Sequence, residues 1–584
     1  MSEFTEHIIA CNGIKLKEYV DDPRYLELQH LEECKGWNVN IRLNPFVTKI
    51  YKLNNRLKDL LEIAGYIFAS DRKTYRGKPD DLEYHGWSRA FDFHFNVRDL
   101  NFWKRKEIQE LMEQALLFMS GDHSYKFNFY KAVDDFPTNI FDNEKFEIIA
   151  PEKLKVALFS GGIDSLAGAI EMLETNDSEI CLVSHQSGQP GTIMTQRDIF
   201  DELKKLYPDR CNHYKFQCGL HGIKSKDETQ RTRSFLYCST AFAIAKTYKQ
   251  NCIYVYENGI TSLNFAETQD LMNGRASRTT HPQSLAKLQE LFSAIAEEEF
   301  HIINPYLYKT KTDVVEVLKT HKKLDLLDIS VSCSVTRNKE SGNTHCGKCS
   351  QCVDRRFAVF AAATEDNDNV GLYHLDFLQD DLVADDIKKI LTDYIRLANN
   401  FAKQDIDGWY DDRSYELMEI LDYIDGSTDV DKMKKLYDLC QKHSKHIEKA
   451  IKRMRDIYDP PLSPIRPNSF FNLIVGPRVY QKEDKKTISE KPPIELEIPP
   501  KQLKKFAKET CEALIKQKKI TEVLNETKTK RNISSLVVNE LKRKNYKITV
   551  QNENTISDYF RKLELHIKKE KNGDLVVIDN HNKI

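Results

Sequence analysis

No apolar run in this 584-residue chain approaches the roughly 20 residues that a helix needs to cross a bilayer, so no membrane partner is expected. Charge of one sign is also missing. The 87 Lys and Arg stand against 89 Asp and Glu, a formal net charge of −2, which gives the whole chain no bias towards nucleic acid. The opening MSEFTEHIIACNGIKL does not read as a secretory signal, and a cytoplasmic protein is expected. No internal repeat is visible, which excludes a solenoid. Of the 13 cysteines, Cys11, Cys34, Cys181, Cys211, Cys218, Cys238, Cys252, Cys440 and Cys511 are scattered, mostly in apolar runs. They read as core thiols of a reducing compartment rather than a disulfide framework.

What is present is concentrated in KVALFSGGIDSLAGAIEML, Lys155 to Leu173. An apolar strand runs into Ser160, Gly161, Gly162, Ile163, Asp164 and Ser165, and then into an amphipathic helix. Adjacent glycines let backbone N–H groups approach an anion, and the helix directs its positive end at the same place. The Ser160 and Ser165 hydroxyls can donate to phosphate oxygens, and Asp164 can hold a Mg²⁺ that accompanies them. The Gly-Lys-Ser/Thr ending of a Walker loop is absent, so this is a phosphate cradle of another kind.

A second feature is SCSVTRNKESGNTHCGKCSQC, in which Cys333, Cys346, Cys349 and Cys352 form a C-x12-C-x2-C-x2-C array. Four thiolates at this spacing suit a tetrahedral Zn²⁺, with the Gly347 turn letting neighbouring sulfurs converge. With every position filled by sulfur the metal would be structural, contributing on the order of 10 kcal/mol to folding. His345 is a lower-ranked substitute ligand.

SGGIDS resembles the PP-loop of ATP pyrophosphatases, which cleave ATP between the α and β phosphates. A PP-loop followed by Cys and CGxCxxC resembles the layout of the 7-cyano-7-deazaguanine synthase (QueC) family, over roughly residues 150–365. Arg233-Ser234 sits where that family has Arg-Asn before a helix. Asn304-Pro305 through Lys311 resembles its proline-then-lysine stretch, which implies a phosphate contact for Lys311. His185, in Val183-Ser184-His185-Gln186, occupies the place of the family's Tyr-Gly-Gln near the adenine. The resemblance implies Asp164, Lys311 and Arg233 as catalytic, with ATP, Mg²⁺ and Zn²⁺ as cofactors.

The main departure is ENGITSLNFAETQDLMNGRASRTTHPQSL, Glu257 to Leu285, which replaces the family's deazaguanine-handling stretch. Glu257, Asn258, Asn264, Arg275, Arg278, Thr279, Thr280 and His281 offer donors and acceptors for a purine-like edge, and arginines for a carboxylate. A solvated loop is the plainer alternative. ENG…SLN…SRTTHP is similar to the QueC-like proteins of anti-phage operons, of the QatC and type IV CBASS kinds.

The expected fold is α/β: a PP-loop (HUP-type) parallel sheet with a zinc-binding segment at 151–365, flanked on both sides. Residues 1–150 read as a separate α+β domain, with a strand Trp87–Val97, a helix Lys106–Met119 and a strand Tyr125–Tyr130. Aromatics alternating at period two there, with Trp87, Trp103 and Tyr125, suggest a sheet core more than a base-stacking surface. Residues 366–459 read as a helical subdomain whose stripes include Ile387, Leu391, Tyr394 and Phe401, then Tyr415, Met418, Leu421 and Ile424. Residues 460–500 form a Pro-rich linker. Residues 501–584 carry 20 Lys and Arg against 11 Asp and Glu, and read as helices followed by a hairpin of Leu565–Ile567 and Leu575–Ile578 turning at Asn572-Gly573, a basic winged-helix-like module that docks a protein more readily than nucleic acid.

The resemblance implies adenylation of the carboxylate of 7-carboxy-7-deazaguanine with release of pyrophosphate, then displacement of AMP by an amine. Ammonia would lead to the amide or nitrile. A protein N-terminus from the same operon would give a conjugate, a reading motivated by the flanking domains. An ATP-sensing subunit that binds a partner or nucleic acid without turnover, or a PP-loop ligase of another type, remains an alternative.

Overall fold

The computed structural model describes residues 6–31, 36–43, 53–76, 88–132, 153–186, 190–228, 230–265, 278–334, 343–383, 385–458, 466, 468–475, 496–497, 502–521, 523, 527–544, 546–547, 549–562 and 565–579. Packing separates residues 1–478 from residues 479–584. Arg275, Trp87, Cys34 and most of the expected linker lie outside the described residues.

Strands β1 (Glu6–Cys11), β2 (Tyr25–Leu28), β3 (Val39–Leu43), β4 (Ala90–Val97) and β5 (Ser124–Lys131) arise early in the chain. Four of them form a sheet of order β2-β1-β4-β5 in which every neighbouring pair is parallel. Helix Lys106–Ser120 makes the crossover from β4 to β5, so this part is α/β and not the expected α+β. The period-two aromatics settle into the core. Phe91, Phe93 and Phe95 lie opposite Tyr125, Phe127 and Phe129 in register, with ring centroids 5.3–6.2 Å apart and all six rings buried.

The second sheet contains β6 (Leu154–Leu158), β7 (Glu179–His185), β8 (Cys211–Leu220), β9 (Cys252–Tyr254) and β10 (His301–Ile303). Its order is β10-β9-β6-β7-β8-β3, and all neighbours are parallel except β3, which closes the edge antiparallel to β8. Helices Ile163–Thr175, Pro190–Leu206, Arg233–Thr247 and Pro282–Ala296 provide the crossovers. Sheets covered on both faces need apolar runs rather than alternation, as in the wholly buried Ile180, Cys181, Leu182 and Val183. Because β3 joins this sheet, and one apolar cluster runs from Ile9 through Phe93 to Phe242 and Ile302, residue 150 marks no break in the core.

Strand β6 is flanked by β7 on one side and β9 on the other, so the order reverses there, and the glycine-rich turn leaves its C-terminal end. Such a switch point is where open parallel sheets hold ligands.

Helices Asp385–Lys403, Ile406–Leu421 and Asp429–Tyr458 follow. The first stripe is buried as expected, but Tyr415 and Met418 are exposed, and Trp409, Leu417 and Ile420 point inward instead. The later unit has helices Leu503–Lys516, Thr527–Arg543 and Val550–Arg561 around a core of Cys511, Val537 and Phe560. Strand β11 (Leu496–Glu497) pairs in parallel with β12 (Tyr546–Lys547), and β13 (Leu565–Lys569) with β14 (Leu575–Asp579) makes the expected antiparallel hairpin around Asn572-Gly573.

Helix Ile163–Thr175 approaches the sheet edge through Gly168, where a Cβ would lie 2.2 Å from Cγ of Tyr256. Helix propensity alone favours Ala over Gly by about 1 kcal/mol, but an overlap this deep reverses the sign. Gly168→Ala is expected to destabilise the protein by about 1–3 kcal/mol, read as a lowered urea midpoint.

Candidate active site

The turn after β6 has Gly161 at φ +85°, in the left-handed region, where a Cβ would press to 3.2 Å from Thr195. Gly162 caps helix Ile163–Thr175, and no side chain satisfies the first N–H groups. They point to the C-terminal edge of the sheet, where an anion complements them. Ser160 is exposed, its hydroxyl accepting from Gly162 N at 3.2 Å and lying 3.2 Å from the Ser165 hydroxyl.

One buried cation organises the carboxylates beside this turn. Lys311 opens helix Lys311–Thr320, whose Thr310 and Asp313 form a reciprocal capping box. Its ammonium donates to Asp164 Oδ2 and lies 3.9 Å from Asp354 Oδ2. Burial alone would lower the Lys311 pKa, but Asp164, then Asp354 and Glu257, outweigh it and hold the ammonium charged. The other Asp164 oxygen accepts from the backbone and side-chain amides of Asn258, each at 3.2 Å. Asp354 is raised by burial and accepts from the Tyr394 hydroxyl at 2.6 Å.

Glu257, just beyond β9, is anchored through its backbone. Asn304 donates to its carbonyl at 2.9 Å and accepts from its N–H at 3.3 Å. Burial, then the charge of Asp164, push its carboxyl up from the ordinary 4.5 to about 8. Arg233 opens helix Arg233–Thr247 with an exposed side chain whose charge acts on Glu257.

The remaining expected ligands do not join this group. His185 is buried, with its Nε2 at 2.9 Å from Cys218 O and its Nδ1 at 3.0 Å from the Tyr237 hydroxyl. Both ring nitrogens are engaged within the core, and burial holds the ring neutral with its pKa near 4. His281 caps helix Pro282–Ala296 by accepting from Gln283 N at 3.2 Å, and Thr279 beside it is buried. Arg278 pairs with Glu419 at 3.0 Å and lies over the Phe118 ring at 4.4 Å. Asn264 ends helix Gly259–Leu263 in the left-handed conformation. Asp354 had no place in the sequence expectations, and Asn304 entered them only as the start of the stretch leading to Lys311. The one signal was VDRRF, a charged triplet inside the otherwise apolar helix Ser350–Ala362.

The four array cysteines converge: their Sγ atoms all lie within 4.8 Å of one another and the residues are buried. Tetrahedral coordination at about 2.3 Å per Zn–S bond sets sulfurs roughly 3.8 Å apart. Cys346 and Cys352 stand at 3.9 Å and Cys349 and Cys352 at 3.4 Å, so the cluster is compatible with zinc. Gly347 is left-handed at φ +76°, and a Cβ there would meet Leu375 O at 1.8 Å, so only glycine makes this turn. His345 is outside the cluster, stacked on Tyr373 at 4.7 Å with Nδ1 on the Thr344 hydroxyl. Cluster and glycine turn are tied together, because Val331 N, two residues before Cys333, donates to Gly161 O at 3.0 Å.

No family model matches the chain, and no curated protein matches it. Among the described residues no helix is long and apolar enough to cross a membrane.

Two outcomes are expected. The purified protein should carry one equivalent of zinc by elemental analysis, and Cys349→Ser should lose it together with several degrees of Tm. For Glu257 the folded pKa lies above the unfolded one, so its stabilising term is complete below about pH 4.5 and lost as pH rises through 8. Glu257→Gln should therefore gain stability relative to the parent between pH 5 and pH 9, measured by urea denaturation at both.

Proposed function

We propose that this chain is a QueC-like ATP-dependent ligase with a PP-loop core. It adenylates the carboxylate of 7-carboxy-7-deazaguanine, releases pyrophosphate, and transfers the acyl group to an amine. In this reading the amine is the N-terminus of a partner protein in an anti-phage system. The observation that carries it is the placement of SGGIDS: a glycine turn at the switch point of a parallel sheet, facing a buried lysine that arrives from the end of β10.

The roles follow from that placement. Gly161, Gly162 and the first N–H groups of the helix receive the phosphates, with the exposed Ser160 hydroxyl as a further donor, while the buried Ser165 hydroxyl donates to Gly162 O and shapes the turn. Mg²⁺ bound with ATP supplies charge neutralisation on the departing phosphates. Lys311 exchanges part of its pairing with Asp164 for the growing negative charge, and Arg233, exposed at the rim, adds a second cation. Attack by a carboxylate needs no general base, in keeping with a first step served by cations and backbone donors. The later unit fits a partner-docking role better than a duplex-reading one. Its helix before the hairpin, VQNENTISDYFR, holds Glu553 and Asp558 against Arg561.

The test is pyrophosphate and AMP release from ATP with 7-carboxy-7-deazaguanine, with ammonia or a peptide as acceptor. Asp164→Ala and Lys311→Ala should each lower release by about 10²-fold or more. Release independent of the deazaguanine, or untouched by both substitutions, would remove the proposal.

A further inference from the structure

Among the described residues the Glu257 carboxylate makes no hydrogen bond and no ion pair, although Asp164, Asp354 and Lys311 are all committed to partners around it. Its backbone is fixed by Asn304 and by the Ser262 hydroxyl at 3.4 Å, and the next residue, Asn258, holds Asp164. The carboxylate is partly exposed, on the same edge of the sheet as the glycine turn. A carboxylate fixed in place yet unspent, and reachable from solvent, is suited to receive a proton.

Resting on the ligase reading, we infer that Glu257 is the proton acceptor for the second half-reaction. The amine nitrogen forms a bond to the acyl carbon, the bond from that carbon to the AMP phosphate oxygen breaks, and its electron pair leaves with AMP. Before that attack the α-ammonium gives one proton to the Glu257 carboxylate, which frees the nitrogen lone pair, and the second proton, shed by nitrogen as the amide forms, passes to water.

The charged groups facing Glu257 support this. Asp164 on helix Ile163–Thr175 and Asp354 on helix Ser350–Ala362 disfavour its ionised form, while Lys311 and Arg233, on their own helices, favour it. The balance, near 8, lies close to an α-amino group at about 7.7–8.0 and well below a lysine side chain at about 10.4. Proton transfer from an N-terminal α-ammonium is then nearly isoenergetic, whereas from a lysine ammonium it is uphill.

The experiment measures the ratio of amide formed to pyrophosphate released, with ATP, 7-carboxy-7-deazaguanine and glycinamide, from pH 6 to pH 10. Glu257→Gln should lower that ratio at least tenfold and abolish the rise in transfer rate near pH 8, and Glu257→Asp should restore part of both. Hydroxylamine, a weakly basic amine that is already neutral at pH 7, should transfer with a much smaller loss in Glu257→Gln. An unchanged ratio and pH profile, or an equal loss with both amines, would overturn the assignment. If the parent protein releases no pyrophosphate, the adenylation reading itself falls and this assignment with it, so the two failures are distinguishable.

Discussion

A buried ammonium between carboxylates is the constraint on which this molecule turns. Lys311 contacts Asp164 and Asp354, and those three side chains come from three separate helices. Removing one partner from such a group leaves a buried charge uncompensated, which costs several kcal/mol. The group therefore locks together the helix after the glycine turn, the helix after β10 and the helix that follows the cysteine cluster. It also stores a cation next to the glycine turn that opens helix Ile163–Thr175.

The cysteine cluster extends that lock. Cys352 lies in the first turn of the helix that carries Asp354, and the loop leading to Cys333 bonds to Gly161 through Val331. The fully buried Arg355 on this helix holds Asp368 and the Ser330 and Leu327 carbonyls, fixing the loop from its other side. A metal at the four sulfurs would thus orient both Asp354 and the glycine turn from a distance, which is the physical meaning of a structural site here.

Much of this was legible in one dimension because the relevant residues are neighbours. The glycine pair, the helix it opens and the cysteine spacing all lie within a few turns of chain, where local sterics and ligand geometry decide. The aromatic strands and the Asn572-Gly573 hairpin were readable for the same reason. The polar segment after β9 was not. Its residues share a stretch of sequence but divide in space: Asn258 holds Asp164, whereas His281 caps a helix and Arg278 turns to Glu419 and Phe118. His185 resembled a ligand by position, yet packing gives both its ring nitrogens partners in the core. Tyr415 and Met418 kept the helical period but face outward, because Trp409 and Leu417 take the inner face.

By itself the sequence determined the glycine turn after β6, the four-sulfur array and the α/β class, since each depends on spacing within short segments. Only the tertiary structure decided that Lys311 meets both Asp164 and Asp354, and that Val39–Leu43 closes the sheet as an antiparallel edge. It alone left the Glu257 carboxylate without a partner among the described residues. Those outcomes depend on contacts between segments up to about 180 residues apart, where the cost of burying a charge, rather than local preference, selects who pairs with whom.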